Sequence, residues 1–394
     1  NQWYDQSVAG NAGYAAFSMG GLWSWGDNEK GRLGHNNQSD YSSPKQVGSD
    51  TNWVDIASTT GNNCAAIKSD GTLWAWGNNP GGVLGQNQSA GSLPAVSSPV
   101  QVGSDTTWAS KSDEEFGSDR SKFSTGGNIV AIKTDGTLWS WGYNQYGLVA
   151  NNTSTPTTYS SPVQIPGTTW KYVSSNGQCI HGIKTDGTLW GWGRSQYGWV
   201  GNNVHSDNIN YSSPVQIPGT TWRTINLRNF NVLATKTDNT LWAWGVNVGG
   251  SLGQNNMISY SSPVQIPGTT WKQAVAGEND EAAGVKTDGT LWVWGFNENG
   301  LFGIPSIAAD AKRSSPVQVP GTTWNNLEVF NGGMFATKTD GTLWAWGRNT
   351  SGQLGQNYIT PGSNNGISSP VQIPGTTWKR IASTRNDFVY ATKS

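Results

Sequence analysis

Seven short stretches of the chain place apolar residues in the same alternating order. In Leu343-Trp344-Ala345-Trp346-Gly347 both Trp fall on one face, while Leu and a small residue take the other, because side chains alternate sides along an extended strand. A strand that is apolar on both faces is buried on both. The Trp-x-Trp-Gly pattern recurs at Trp23/Trp25, Trp74/Trp76, Trp139/Trp141, Trp190/Trp192, Trp242/Trp244, Trp292/Trp294 and Trp344/Trp346. Between the two Trp stands Ser24, Ala75, Ser140, Gly191, Ala243, Val293 or Ala345, so something packs closely there. In most copies Lys-Thr-Asp-Gly-Thr comes just before. Asp-Gly between β-favouring residues predicts a tight hairpin, since Gly supplies the positive φ without strain. Asn239 replaces that Gly once, and Asn is the residue next most tolerant of the left-handed region. Eight residues before each first Trp the chain has Ala15, Ala66, Ala131, Gly182, Ala234, Gly284 or Ala336. We read this always-small position as crowding near a common axis.

Successive first Trp are 51, 65, 51, 52, 50 and 52 residues apart. A period near 50 marks an array of supersecondary units, with propeller blades as the β-rich case. Each unit reads as four strands. The first opens on Trp, as in Trp271-Lys272-Gln273-Ala274-Val275-Ala276, and the second and third form the hairpin. The fourth follows Ser-Ser-Pro, as in Pro263-Val264-Gln265-Ile266-Pro267, and Pro at both borders places it at a sheet edge. No amphipathic helix is present. The expected architecture is therefore an all-β, seven-bladed β-propeller with four-stranded antiparallel blades. It forms one domain over 1–394, with units near 3–52, 53–107, 108–169, 170–221, 222–270, 271–323 and 324–377 and a partial unit at 378–394. Trp3–Phe17 and Trp378–Ser394 both read as the opening half of a unit. Either one displaces the other to close a ring, or the chain was cut from a longer array.

Each Trp-x-Trp-Gly leads into a second recurring piece, for example Asn349-Thr350-Ser351-Gly352-Gln353-Leu354-Gly355, Asn28 to Gly34 and Asn247 to Gly253. Units three and four depart from it, with Val149-Ala150 for Leu-Gly and Ser195 for Asn. The combined pattern W-x-W-G-x-N-x-x-G-x-L-G resembles that of the regulator of chromosome condensation repeat family, over nearly the whole chain. The near-identical Ser-Ser-Pro-Val-Gln-Ile-Pro-Gly-Thr-Thr-Trp segments resemble its bacterial and phage members. The resemblance implies seven blades, in agreement with the seven hairpins.

Composition changes the picture mainly by exclusion. Charged residues are 12% and the net charge is −1, about half the usual charged fraction of ~25%. Without a basic excess, the long-range attraction behind nucleic-acid binding is missing. No apolar run approaches the ~20 residues of a membrane span. The first residue, Asn1, points to a processed or excised chain. Cys64 and Cys179 occupy equivalent strands of units two and four and are expected to be lone buried thiols.

No nucleophile–base constellation or metal-ligand spacing is visible, and neither catalytic residues nor a cofactor is indicated. Of the 23 Trp, 22 hold repeat positions and read as core. The recurrent Asp read as turn residues, and the recurrent Lys, such as Lys68 and Lys338, as strand ends. Asn-x-Ser/Thr matches at Asn37, Asn87 and Asn349 carry little weight in so Asn-rich a chain. Two departures from the repeat stand out. An insertion around Ala109–Gly127 gathers Lys111, Asp113, Glu114, Glu115, Asp119, Arg120 and Lys122, a candidate partner-binding loop. Tyr197-Gly198-Trp199 holds the one Trp outside the repeat. Tyr197 and Trp199 are the ligand-stacking candidates, set against a gap-filling role for Trp199. The variable polar loops, such as Gln356–Ile367 and Gln86–Val96, suit partner binding on a rigid scaffold.

The leading expectation is a non-enzymatic interaction module, extracellular or on a virus particle, that binds a protein or a surface glycan through its loops and joins a larger assembly. The resemblance supplies two other readings. One is a guanine nucleotide exchange factor for a small GTPase, since some members use a wedge inserted in the third blade. The other is ultraviolet sensing, as in a plant photoreceptor of this fold. That receptor's Gly-Trp-Arg-His-Thr pattern survives here only as Trp222-Arg223-Thr224.

Overall fold

The computed structural model describes residues 21–57, 62–89, 91–111, 120–153, 158–205, 209–360, 366–375, 378–383 and 388–393. They form seven four-stranded antiparallel sheets. Six are continuous in sequence. In blade 2 the strands Trp53–Ile56, Asn63–Lys68, Leu73–Asn78 and Ala95–Gln101 follow one another outward, and blades 3 to 7 repeat that order. The Trp-opened strands of successive blades touch one another and line the axis. The Ser-Ser-Pro strands are outermost and partly exposed. The register breaks opposite Ser-Ser-Pro, for example between Ala243 and Gly245, where Pro has no N–H to give the ladder.

Blade 1 closes the ring from both ends of the chain. Leu22–Gly26 pairs with Tyr41–Gln46 on one side and with Phe388–Lys393 on the other, and Trp378–Ser383 completes the sheet. The C-terminal half-unit thus supplies the two inner strands of blade 1. The competing copy at Trp3–Phe17 lies outside the described residues.

Blades are joined by the two recurring motifs acting together. The second Trp of every Trp-x-Trp is fully buried. Its indole N–H crosses to the preceding blade and donates to the carbonyl two residues before the loop's closing Gly. Trp76 donates to Arg32 at 3.0 Å, Trp294 to Ser251 at 2.7 Å, and Trp25 closes the circle on Gln353 at 3.1 Å. The Asn-x-x-Gly turn then docks on the Ser-Ser-Pro strand of the following blade. A methyl group on Gly31 would lie 2.5 Å from the Ser97 Cα, and one on Gly352 3.0 Å from that of Ser42. Both Gly also have positive φ, so two separate constraints reserve the position for Gly.

The small residue eight before each first Trp has a different cause from the expected one. A methyl on Gly182 would meet the Trp170 ring at 2.6 Å, and one on Gly284 the Trp271 ring at 2.8 Å. The opening indole lies across this second strand, so crowding by Trp fixes the size rather than closeness to the axis. In blade 4 the close packing beside Gly191 is His181, whose Nε2 would sit 3.1 Å from an added methyl. Cys64 and Cys179 are buried free thiols, and burial pushes the Cys179 thiol well above its ordinary range. No helix among the described residues is long and apolar enough to cross a membrane.

Deleting residues 378–394 removes the inner strand partner of Leu22–Gly26, and the unfolding free energy from urea titration should fall by on the order of several kcal/mol, lowering the urea midpoint. A wild-type midpoint would instead mean that the Trp3–Phe17 copy takes the vacant edge.

Candidate interaction faces

Antiparallel order puts the Lys-Thr-Asp-Gly turns on one face of the ring and the Trp-Gly-to-Ser-Ser-Pro loops on the other. The turn face is closed on itself. In six blades the Asp carboxylate accepts the backbone N–H and hydroxyl of the following Thr, whose oxygen accepts the first Trp's indole N–H. In blade 6 these are Asp288, Thr290 and Trp292, at 2.7 to 3.0 Å. These bonds hold the Asp carboxyls below their ordinary range, as at Asp340 and Asp238. The repeated Lys lies between two indoles, with Lys338 Nζ 4.9 Å from the Trp324 ring centre and 4.0 Å from that of Trp344. A cation over an indole face is attracted by its quadrupole. The repeated Lys are therefore clamps between the first and third strands rather than a free basic ring.

The loop face is built on the Asn of Asn-x-x-Gly. Asn247 Oδ1 accepts the Leu252 N–H at 2.9 Å, while its Nδ2 donates to the carbonyls of Asn256 and Ile258, both at 3.0 Å. One buried amide thus holds the start, middle and return of the loop. Asn349 does the same and is wholly buried, which closes it to glycosylation. Every exposed large hydrophobic among the described residues lies within these loops or at their edges: Tyr143, Tyr197, Ile209, Val248, Met257, Ile258, Tyr358 and Ile359. Apolar residues inside loops otherwise made of Asn, Ser, Gly and Gln were the sequence signal for them, and the sequence reading passed over it.

The insertion sits elsewhere than a rim loop. The opening strand of every other blade carries a one-residue irregularity just after its Trp, as between Trp170 and Tyr172. In blade 3 the insertion grows from that point. Trp108 bridges Lys133, Ala109 N–H reaches the Ile132 carbonyl, and the strand resumes at Phe123. The insertion therefore springs from the innermost strand. Lys111 is only 8% exposed, with its Nζ 3.7 Å from the buried Asp55 carboxylate. That burial removes Lys111 from the partner-contact candidates and makes it an anchor. Lys122 is half-buried over the Tyr172 ring and donates to the Lys171 carbonyl, and Arg120 is half-buried. Asp113, Glu114, Glu115 and Asp119 lie outside the described residues.

Of the stacking pair, Trp199 is 2% exposed. It donates to the Phe230 carbonyl at 2.9 Å, and its own carbonyl accepts the Trp244 indole N–H at 2.9 Å. Trp199 fills the seam between blades 4 and 5 and is out of a ligand's reach. Tyr197, 39% exposed with its ring 5.7 Å from Trp199, keeps an accessible face.

Two buried groups were missed in the sequence because each replaces an uncharged residue at its repeat position. Glu281, wholly buried, accepts the N–H groups of Asn279 and Gly332, and burial pushes its carboxyl up to about 8. His181 lies against the Trp199–Val200 backbone without a well-formed hydrogen bond, and burial lowers it to about 4. Near the axis, Arg228 bonds Glu278 at 3.2 Å and Glu328 at 2.9 Å, all three buried, tying blades 5, 6 and 7. Loss of one partner from such a cluster typically costs ~3–5 kcal/mol.

A model described as the Regulator of chromosome condensation (RCC1) repeat matches residues 19–66, 238–279 and 340–384. These three segments, about a third of the chain, carry that repeat. The chain is 27% identical over 256 residues to the ultraviolet-B receptor UVR8 of Arabidopsis thaliana, covering 61% of this chain and 53% of the receptor. It is 26% identical over 259 residues to the E3 ubiquitin-protein ligase HERC2 of Homo sapiens, covering 63% of this chain and 5% of the ligase. The chain thus spans about half of the receptor and a small part of the ligase. Human WBSCR16 superposes with a TM-score of 0.79 at 17% identity, over 95% of this chain and 99% of that one. Prp20p of Saccharomyces cerevisiae superposes with 0.77 at 15% identity, over 96% and 92%. Both likenesses show the fold of this repeat propeller.

The two buried titrating groups give stability opposite pH slopes. Glu281 holds its proton to about 8 in the folded chain but loses it near its ordinary value of 4.5 when unfolded, so its contribution is complete below pH 4.5 and lost as pH rises toward 8. His181 cannot take the proton that the unfolded chain accepts below about 6.5, so its contribution is complete above that pH and lost as pH falls toward 4. Glu281→Gln should flatten the decline in urea midpoint between pH 5 and pH 8 and leave the acid limb unchanged. An unaltered decline would place its cause elsewhere.

Proposed function

We propose that this repeat propeller is a non-enzymatic interaction module that offers its loop face to protein partners. One observation carries the reading. Among the described residues the exposed large hydrophobics all belong to the loops of a single face, whereas the polar groups of the opposite turns are engaged with one another. Exposed apolar clusters rimmed by polar residues mark interaction sites. A rigid ring keeps such loops in place without ordering cost at the moment of binding. A glycan partner is less favoured, since most of the exposed positions are aliphatic rather than aromatic. Display outside the cell or on a virus particle within a larger assembly forms part of the proposal. It rests on the 12% charge content and the Asn/Ser/Thr/Gly-rich loops.

The test places a photo-reactive amino acid at 248 and 358 on the loop face and at 171 and 340 on the other, in the source organism. Partner adducts should form from 248 or 358. Adducts confined to 171 and 340, or none from any position, would refute the reading, and recovery wholly from the cytosol would remove the surface placement.

A second reading has a specific observation behind it. The blade 3 insertion leaves the innermost strand from a stem fixed by the Lys111–Asp55 pair, a rigid base for a wedge. Prp20p, a fold relative, has been studied for its binding to Gsp1p and histones. If this chain regulates a GTPase, nucleotide release across a panel of small GTPases should accelerate and lose that acceleration when residues 112–119 are deleted. No acceleration ends this reading.

A further inference from the structure

The repeated Lys of the turn face has a counter-charge in some blades and none in others. In blades 2 and 3 the residue three before the opening Trp is Asp50 or Asp105. Asp50 Oδ2 lies 2.7 Å from Lys68 Nζ, and Asp105 holds Lys133 in the same way. In blades 4 to 7 that position is Gly167, Gly219, Gly268 or Gly321, so the loop brings no carboxylate to Lys184, Lys236, Lys286 or Lys338. Lys286 Nζ lies 4.9 Å from the Trp271 ring centre and 4.2 Å from that of Trp292. Among the described residues none gives it a hydrogen bond or an ion pair. Two ring faces attract the charge, but they leave the three N–H donors of an ammonium without an acceptor.

Beside Lys286 the turn face opens. A cavity of about 210 Å³ lies between blades 6 and 7, lined by Lys272 and Lys286 of blade 6, by Asn325 of blade 7 and by threonines of both, Thr287 and Thr322 among them. Asn325 stands where blades 4, 5 and 6 have Lys171, Arg223 and Lys272, and its shorter side chain takes up less of the space. Lys272 Nζ donates to the Asn325 carbonyl at 2.9 Å and to the Asn325 Oδ1. Those bonds fix a second positive charge at the wall of the cavity.

Charge and size define the occupant. The acid in the lining, Asp288, accepts the Thr290 backbone N–H at 3.0 Å and its hydroxyl at 2.7 Å, and those bonds hold its carboxyl below the ordinary range. Two ammonium groups thus share the cavity with one carboxylate that is committed to its own turn. Ammonium groups only donate, and hydroxyls can donate, so the lining suits a negatively charged group that only accepts. The two indoles around Lys286 keep water from part of its charge, which strengthens attraction to an anion. About 210 Å³ is less than the ~300–1,000 Å³ of drug-sized ligand sites, and it has room for a group of a few heavy atoms.

We propose that the cavity between blades 6 and 7 is a binding site for a small oxyanion, a phosphate or carboxylate group held by Lys286 and Lys272 with threonine hydroxyls beside them. The bound group does for Lys286 what Asp50 and Asp105 do within the chain for Lys68 and Lys133. The site lies on the face opposite the loops and stands apart from the interaction-module reading.

An amide NMR titration of the full chain with inorganic phosphate, with acetate and with a capped Gly-Glu-Gly peptide, all at one ionic strength, tests this. At least one probe should bind saturably below about 50 mM, shift the amides around Lys286 and Asn325, and weaken as NaCl is raised. Binding of phosphate or acetate without the peptide identifies a free ion as the occupant. A peptide bound at least as well as acetate identifies an acidic side chain of a partner. Asn325→Asp sets a carboxylate beside Lys272 and should weaken binding about tenfold or more. Lys286→Met keeps an unbranched chain between the indoles and should do the same. If the melting curve shows that Lys286→Met fails to fold, Asn325→Asp, at a partly exposed position, decides alone. No saturable binding of any probe overturns the proposal. So do shifts confined to other blades, and so does binding that the folded variants leave intact, which would mean an adventitious ion only.

Discussion

The ring depends on one hydrogen bond made seven times, from a buried indole N–H to a carbonyl of the neighbouring blade. Each bond lies at the centre of an apolar seam where no water competes, so leaving its partner unsatisfied would cost ~1–3 kcal/mol. The same Trp brings a large apolar area to the seam. A single side chain therefore supplies both the cohesion between blades and the register in which they meet. The Gly that docks on Ser-Ser-Pro acts with it, because close backbone approach is possible only where no side chain intervenes. Since Trp25 reaches Gln353 and Gly352 meets Ser42, closure uses the same contacts as every other seam.

This arrangement leaves little free chemistry on the turn face. Lys is held between indoles, Asp by the next Thr, and Thr by the first Trp, so the repeated polar residues are used up locally. A protein with 12% charged residues that commits much of them to internal contacts has few left for steering a partner. What it presents instead is shape, amide groups and scattered apolar side chains on the loops. The buried Arg228–Glu278–Glu328 cluster and the isolated Glu281 and His181 are exceptions at individual blades. They show where the repeat has diverged without disturbing the ring.

The strands and their order were legible because β-structure writes a period of two and the blade a period near 50. The outer position of the Ser-Ser-Pro strand followed from the missing Pro N–H. Local signals were less reliable when they depended on a neighbour in space. The small residue before the hairpin was read as an axis contact, whereas Trp170 and Trp271 set its size. Lys111 looked like part of a charged display loop, yet it is buried against Asp55. The reading of Trp199 as a gap-filler fits its place, although what it fills is an interblade seam.

By itself, the sequence determined the blade: which residues pair as strands, where the turns fall and which indoles are buried. Those properties arise from contacts within about 50 residues of chain and repeat often enough to be averaged over copies. The tertiary structure alone decided how the ring closes, where the insertion emerges and which apolar side chains remain outside. Each of those is fixed by a contact between blades, such as Leu22–Gly26 with Phe388–Lys393 or the Trp199 indole with Phe230. The pattern within one unit carries no record of what its neighbour covers.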